Sequence, residues 1–437
     1  MIFGFGRKQA DEDDDDDEEE IDYVLFQGAL NGNEPDMKGN AKLVQAGLLR
    51  AKELITNAIY RRAEMVRIEP KGTFAVSTLF VDGVPFPGSK MPSQAALAIT
   101  QMLKLLAGLD VKLRTSPQSG GIKAQHEDNK YEIRVDTMPT PAGERLIVRI
   151  RNVKQTFETP EELGWGNALK DKIRELASQK KGIIIAAGPP LSGVSCAAFG
   201  LLRSIDAYLF NIYSLAQTGK DIAHVAEFKA EEGDTFQQTM ARAIRAEGDV
   251  LFVPPVRDGE LAKMMLEESE DACIITEMTA KDCADAIARF VQFTEDPIQC
   301  AERLHGVISQ KLVRLLCTEC CQRYRPNPKL LQKVGLPPET KVLFRPPRPD
   351  EEEEDEEPEV CEKCGGVGYF GRTGMVEFIE INDAMKQIIE AGADPAKIRE
   401  QAKKDRMQSW QSDGMRLVAA GKTSLEELQR VFKPASK

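Results

Sequence analysis

The sequence predicts an α/β protein in which an α+β domain precedes a mostly parallel sheet with helices on both faces. Three observations predict it. From about residue 168 onward, short apolar runs alternate with helical segments. Between the first such strand and its helix lies a glycine-bounded loop, within Gly182–Ser195, GIIIAAGPPLSGVS. Two C-x-x-C pairs follow, Cys317 with Cys320 and Cys361 with Cys364, and mark a metal-type element before a helical end.

With 437 residues the chain is long enough for two or three cores, and 42% apolar with 29% charged residues is ordinary for a soluble globular protein. No apolar run approaches the ~20 residues that a membrane span needs. The net charge of −12 comes from two blocks, ten acids at Asp11–Glu20 and eight at Asp350–Glu357. Without those 18 the chain holds 58 basic and 52 acidic residues, a balance of +6. Self-repulsion makes both blocks expected disorder, dispensable for folding. The opening MIFGFGRKQ has one short apolar patch before the acid and does not read as a secretory signal. With nine cysteines, the expected setting is a reducing cytoplasm, with some thiols serving a metal. No basic–aromatic interleaving points to nucleic acid.

Residues 1–40 read as a disordered acidic arm with a small apolar island at Tyr23–Leu30. Ala41–Arg62 has its apolar residues at helical spacing. Val66–Ile68 and Phe74–Val81 read as strands, the second ending at the Asp82-Gly83 turn. Ser93–Ala107 reads as a helix with Ser93 as N-cap and Gly108 as stop. Strands at Tyr131–Val135 and Leu146–Ile150 complete an α+β domain over 41–152, followed by a linker at 153–167. The α/β domain, 168–316, contains helix Ala168–Ser178, strand Gly182–Ala187, the loop and its helix. Strands at Asn211–Ala216, Val250–Val253 and Cys273–Thr276 then alternate with helices at Gly259–Glu267 and Asp282–Gln292. Cys300–Val313 is expected to be a helix. A tetracysteine element spans 317–378, with an acidic disordered insertion at 345–359. The end, 379–437, is helical, its last helix opened by a Ser424/Glu427 capping box.

The loop has the frame of a phosphate-binding P-loop, G-x-x-x-x-G-K-[ST], at Gly188, Gly193 and Ser195, with Val194 where the lysine belongs. Backbone N–H groups of such a loop can still cradle an anion at a helix start. Without the lysine, nothing from the loop neutralises charge between β- and γ-phosphates. The residues leave two alternatives open, a bare strand-to-helix turn and weak nucleotide binding, so ATP binding is in doubt.

The four cysteines in two knuckles suit a closed, structural zinc site, Cys317, Cys320, Cys361 and Cys364, with free thiols as the alternative. Cys321 is off-spacing and reads as a spectator. Cys196, Cys273, Cys283 and Cys300 read as small core residues. His126, His224 and His305 are scattered and read as surface or capping residues, and Trp165 and Trp410 as packing residues.

From about Ala41 to Phe432 the chain resembles the motor ATPases of type II secretion and type IV pilus assembly, the E-type secretion ATPase and the pilus extension ATPase. AEMVRIEP (Ala63–Pro70) is similar to the family's ASDIHIEP, and FVDGV and LDVKLRTSPQSGGI to its RIDGV and LDIAEKRLPQDGRI. Glu132–Ile150, Leu304–Cys320 and Cys361–Glu377 are close to the family pattern. The resemblance implies a PAS-like N-terminal domain, a RecA-like P-loop domain, a zinc knuckle and a helical C-terminal region. It also implies a hexameric ring and inner-membrane platform partners, and hence a place in the cytoplasm, peripheral to the inner membrane.

The departures fall on the chemistry. Beside Val194, the family's acidic EDP box is here Ala216-Gln217-Thr218. Its VGEIRD becomes Val253-Pro254-Pro255-Val256-Arg257-Asp258, with Pro255 in the glutamate's place. Its STLHTNDA becomes Thr276–Cys283, with Thr279 where the histidine stands. Thr78, Phe80, Thr115 and Gly121 stand where N-terminal arginines reach nucleotide. Arg134 and Arg149 remain and are candidate subunit-contact arginines. The expectation is a pseudo-ATPase with a structural or regulatory role. Its rivals are a motor using relocated groups such as Lys181 or Arg257, and a nucleotide-binding adaptor that does not hydrolyse.

Overall fold

The computed structural model describes residues 22–155, 159–216, 222–348 and 360–433. Both acidic blocks, and Gln217-Thr218, lie outside the described residues. The chain divides into two units, Met1–Gln155 and Thr156–Lys437.

The first unit runs β1 (Leu25–Ala29), α1 (Ala41–Tyr60), β2 (Ala63–Pro70), β3 (Phe74–Val81), β4 (Val84–Pro92), α2 (Ser93–Leu106), β5 (Gln118–His126), β6 (Asn129–Thr140) and β7 (Gly143–Asn152). Its strands form one antiparallel sheet in the order β1-β5-β6-β7-β2-β3-β4. In β3 every second residue is buried, the two-residue period of a strand with one face on a core. That core is Val66, Ile68, Ile133, Val135 and Val148 of the sheet with Ile55 of α1 and Leu103 of α2.

Three expectations are corrected here. The arm does not extend to residue 40, because Leu25–Ala29 is a strand paired with β5 and Val24 is fully buried. Ser93 is not the cap of α2; Pro92 holds that position and the Ser93 hydroxyl donates to the Gly72 carbonyl at 2.5 Å. His126 is not a surface residue, since its ring is buried edge-on to Tyr60 and bonds the Asp22 carbonyl at 2.9 Å.

The second unit begins with α3 (Asn167–Ala177), β8 (Ile183–Gly188), α4 (Val194–Ser204), β9 (Ile212–Ser214), β10 (Ala226–Glu227), α5 (Phe236–Arg245), β11 (Val250–Phe252) and α6 (Gly259–Glu268). β12 (Cys273–Thr279), α7 (Cys283–Thr294), α8 (Pro297–Arg303), β13 (Leu304–Leu316), β14 (Gln322–Tyr324), α9 (Pro328–Val334), β15 (Leu343–Arg345) and β16 (Tyr369–Glu380) follow. Four helices end the unit, α10 (Asp383–Glu390), α11 (Pro395–Lys404), α12 (Trp410–Ala419) and α13 (Leu425–Phe432).

The main sheet has the order β10-β9-β11-β12-β8-β13-β16, parallel throughout except for the β13–β16 pair. β8 lies inside it, and all six of its residues are buried, as expected for a parallel strand covered on both faces. α3 and α4 cover one face; α5 to α8, α10 and α11 cover the other.

The expected helix at Cys300–Val313 is wrong beyond Arg303. From Leu304 the chain is β13, parallel to β8 and antiparallel to β16. Burial on both faces removes the alternation that would betray a strand, and the apolar spacing of GVISQKLVRLL then mimics a helix. The Ser424/Glu427 capping box is only half formed. Ser424 accepts from the Glu427 N–H at 3.1 Å, but the buried Glu427 carboxylate turns to Arg314 and Arg430.

Candidate functional site

The loop after β8 leaves the C-terminal edge of the parallel sheet, where open α/β sheets place ligands. Its two glycines are required by close approach. A Cβ on Gly188 would lie 2.4 Å from Ser192 Oγ, and one on Gly193 would lie 2.7 Å from Gln310 Nε2. Gly193 also has φ +81°, in the left-handed region, and caps α4. Leu191 shares that region at φ 66° with its side chain 72% exposed, an unusual backbone for a branched residue.

Gln310 of β13 braces the loop from the neighbouring strand. It is fully buried, and its Nε2 donates to the carbonyls of Ser192 (3.2 Å) and Gly193 (3.1 Å). Its Oε1 accepts from Trp165 Nε1 at 3.4 Å. The loop's shape is therefore held by protein groups.

Val194 packs against the apolar cluster that holds α4 to the sheet, so it projects no polar group into the loop. The neighbouring Ser195 hydroxyl is exposed and donates to Glu277 Oε2 at 2.8 Å. Glu277 stands on β12, opposite Ala186 in register. Burial pushes its carboxyl above the usual range, while the Ser195 hydrogen bond and nearby Arg257 pull it back.

Beyond β11, Pro254 accepts from Thr276 Oγ1 at 2.8 Å and Val256 N–H bonds the Glu277 carbonyl at 2.8 Å. Pro255 between them offers neither a carboxylate nor an N–H. Asp258, three residues further along, caps α6 by accepting from Leu261 N–H. Ala216 is buried. Thr279 ends β12 opposite Gly188 and carries no imidazole. Lys181 precedes β8, whereas the loop follows it, a separation of about 20 Å along six strand residues. It is not a relocated lysine.

Arg134 and Arg149 face each other across β6 and β7 in the first unit. Arg149 is ion-paired to Asp136. Arg134 is exposed, and its side chain makes no hydrogen bond or ion pair among the described residues.

The two cysteine pairs, with 40 residues between them, meet because Leu316 at the end of β13 is in register with Tyr369 at the start of β16. Residues just beyond one strand and just before the other thus share one corner. The four sulfurs lie within 4.8 Å of one another, with Cys317–Cys361 at 3.9 Å and Cys320–Cys364 at 3.5 Å. Four thiolates at tetrahedral zinc distances would be about 3.8 Å apart, so the donor set fits a closed site. Gly365, Gly366 and Gly368 all have positive φ, and Gly368 N–H donates to Cys364 Sγ at 3.3 Å, a sulfur-directed backbone bond. Cys321 lies outside the cluster. Cys273, Cys283 and Cys300 are buried, and Cys196 is half-buried against the core.

Residues 43–430 match the family described as type II/IV secretion system protein. The chain belongs to that family. Among its relatives, the secretion-family chain is 27% identical over 389 residues to the type IV pilus assembly ATPase PilB of Thermus thermophilus, covering 86% of this chain and 42% of that one. It therefore spans less than half of that relative's length. It is 28% identical over 386 residues to the type II secretion system protein HxcR of Pseudomonas aeruginosa, covering 87% and 76%. To the type II secretion system protein E of Xanthomonas campestris it is 24% identical over 399 residues, covering 90% and 68%. Its fold is similar to the solved Legionella pneumophila ATPase DotB, at TM-score 0.53 and 13% identity over 88% of this chain and 95% of that one. The Yersinia pseudotuberculosis DotB gives 0.54 and 11% over 87% and 92%.

Motif matching in this secretion-family chain passes over Glu277 and Gln310. Glu277 stands inside the stretch aligned with the histidine box, which directs attention to Thr279. A glutamate on a strand otherwise buried was the available signal. Nothing in the sequence around Gln310 separates it from an ordinary surface glutamine.

Proposed function

We propose that this chain is a non-hydrolysing member of the type II secretion and type IV pilus assembly machinery, with a structural or regulatory role. The observation that carries the reading is the cleft's chemistry. Half-buried Val194 packs against the apolar cluster, Pro255 takes the place of the family's glutamate, and neither supplies the cation or base that phosphoryl transfer needs. The degenerate P-loop residues Gly188, Gly193, Val194 and Ser195 keep a phosphate-loop backbone without that chemistry. One zinc held by Cys317, Cys320, Cys361 and Cys364 clamps the C-terminal region. The chain acts in the cytoplasm as part of a hexameric ring, alone or with an active motor, against inner-membrane platform proteins. Arg134, whose side chain has no partner among the described residues, is available for a neighbouring subunit. Among the described residues no helix is long and apolar enough to cross a membrane, so attachment would run through those partners.

The test is steady-state phosphate release by the purified, zinc-loaded chain. No release above buffer is expected, and Val194→Lys alone is not expected to restore it. Release by the unmodified chain that Ser195→Ala abolishes would overturn the reading. Sedimentation alone, and mixed with an active motor from the same cell, tests the ring. A strict monomer in both would leave it unsupported.

A further inference from the structure

We propose that Glu277 is the resident anion of the Gly188–Ser195 loop, and that its carboxylate takes the place of a phosphate-bearing ligand and so keeps such ligands out. The inference rests on the non-hydrolysing reading and goes beyond it, because lost chemistry does not by itself prevent binding.

Four observations carry it. The loop retains the backbone of an anion cradle, with Gly193 left-handed at the start of α4. α4 has neither a side-chain cap nor an acid in its first turn, so no residue of its own supplies a negative group there. Ser192 is 94% buried and its Oγ has no hydrogen-bond partner among the described residues, and it sits 2.4 Å from where a Cβ on Gly188 would be, inside the curve of the loop. Finally, the acid that does reach the loop comes from the adjacent strand: Glu277 Oε2 accepts the Ser195 hydroxyl at 2.8 Å.

A phosphate entering the cradle would have to take Ser195 from Glu277 and lie beside a carboxylate with no lysine between them. Arg257, the cation near enough to favour the charged form of Glu277, has its field spent on that carboxylate. Removing the charge would leave the Ser192 and Ser195 hydroxyls and the start of α4 without a neighbouring carboxylate.

The experiment titrates inorganic pyrophosphate and ADP into the full chain by calorimetry, with and without Mg²⁺, for the unmodified protein, Glu277→Gln and Glu277→Ala. Glu277→Gln keeps the side chain's shape and its acceptor for Ser195. The expected result is binding at least tenfold tighter in both variants, with or without Mg²⁺, at unchanged melting temperature. Three results would overturn the proposal. One is equal affinity in all three proteins. A second is tight binding by the unmodified chain. The third is Mg²⁺-dependent binding lost in Glu277→Ala, which would make Glu277 a cation ligand instead. Phosphate release measured in parallel keeps the two readings apart: turnover by the unmodified chain overturns the non-hydrolysing reading, whatever the variants bind.

Discussion

Replacing Gln310 by leucine tests whether the loop after β8 is braced by its own protein. Leucine nearly conserves volume, so the cavity cost is small and the loss is polar. The substitution strands two buried groups, the carbonyl of Ser192 and the indole N–H of Trp165, while the Gly193 carbonyl keeps the Ala197 N–H at 2.9 Å. A buried group left unpaired costs about 1–3 kcal/mol. At 3.1 to 3.4 Å the bonds are long, which puts each at the lower end, near 1 kcal/mol. The added apolar burial of leucine offsets about 1 kcal/mol. The net expected loss is about 1 kcal/mol, or roughly 2 °C for a unit of this size. The assay is thermal unfolding followed by tryptophan fluorescence, since both tryptophans lie in the second unit. Hydrogen exchange across 188–195 should rise in the same variant. Gln299→Leu, at an exposed site where the amide only bonds Asp296, is the control and should change stability by less than about 0.5 kcal/mol. A loss for Gln310→Leu no larger than the control's would refute the brace.

Metal analysis after reducing purification should find one zinc per chain, and Cys361→Ser should lower both metal content and melting temperature, because a metal bound only in the folded state is a folding energy. Glu427→Gln should cost about 3 kcal/mol, since it leaves the mostly buried Arg314 guanidinium without its carboxylate. Burial alone would push the Glu427 carboxyl up, but Arg430 and Arg314 outweigh it and hold it below 4.5. A depressed folded value stabilises above the unfolded one, so that contribution is full at neutral pH and lost as pH falls below about 4.5; the deficit of Glu427→Gln should therefore shrink as pH falls through that range. Glu377 has the opposite sign. Burial lifts its carboxyl, so the charged form is disfavoured in the folded state, and Glu377→Gln should raise the melting temperature at pH 7 while changing little near pH 4. Removing Asp11–Glu20 and Asp350–Glu357 together should leave unfolding unchanged.

Most of the alternation of strands and helices in 168–300 was legible where a helix has its own boundary residue, as with Asp258 and Asp282 ahead of α6 and α7, but β10, α5 and α8 were missed. β13 was not legible, because a strand buried on both faces loses its two-residue period. β1 was missed for a related reason: five residues beside an acidic run carry too little apolar content to signal a strand, and only pairing with β5 fixes it. In the site, the four cysteines were legible from spacing alone, since C-x-x-C has few other uses in pairs. Glu277 and Gln310 were not, because their roles depend on which strands lie beside β8, and strand order is a non-local property. The same reason hid Lys181's irrelevance: nearness in sequence to a loop says nothing about which end of a strand a residue occupies.

The register of Leu316 with Tyr369 has a practical consequence for engineering. The chain leaves the sheet at Cys320 and returns at Cys361 to the same corner, so the two ends of this excursion are fixed a few ångströms apart however long it is. β14, α9 and β15 use part of it, packing Leu331, Leu336 and Leu343 against α12 and α13. A domain inserted within this excursion would leave its two ends, Cys320 and Cys361, at the same corner. Lengthening such a loop is inexpensive, about 0.6 kcal/mol for each doubling. A fluorescent fusion within the excursion would leave both chain termini untouched.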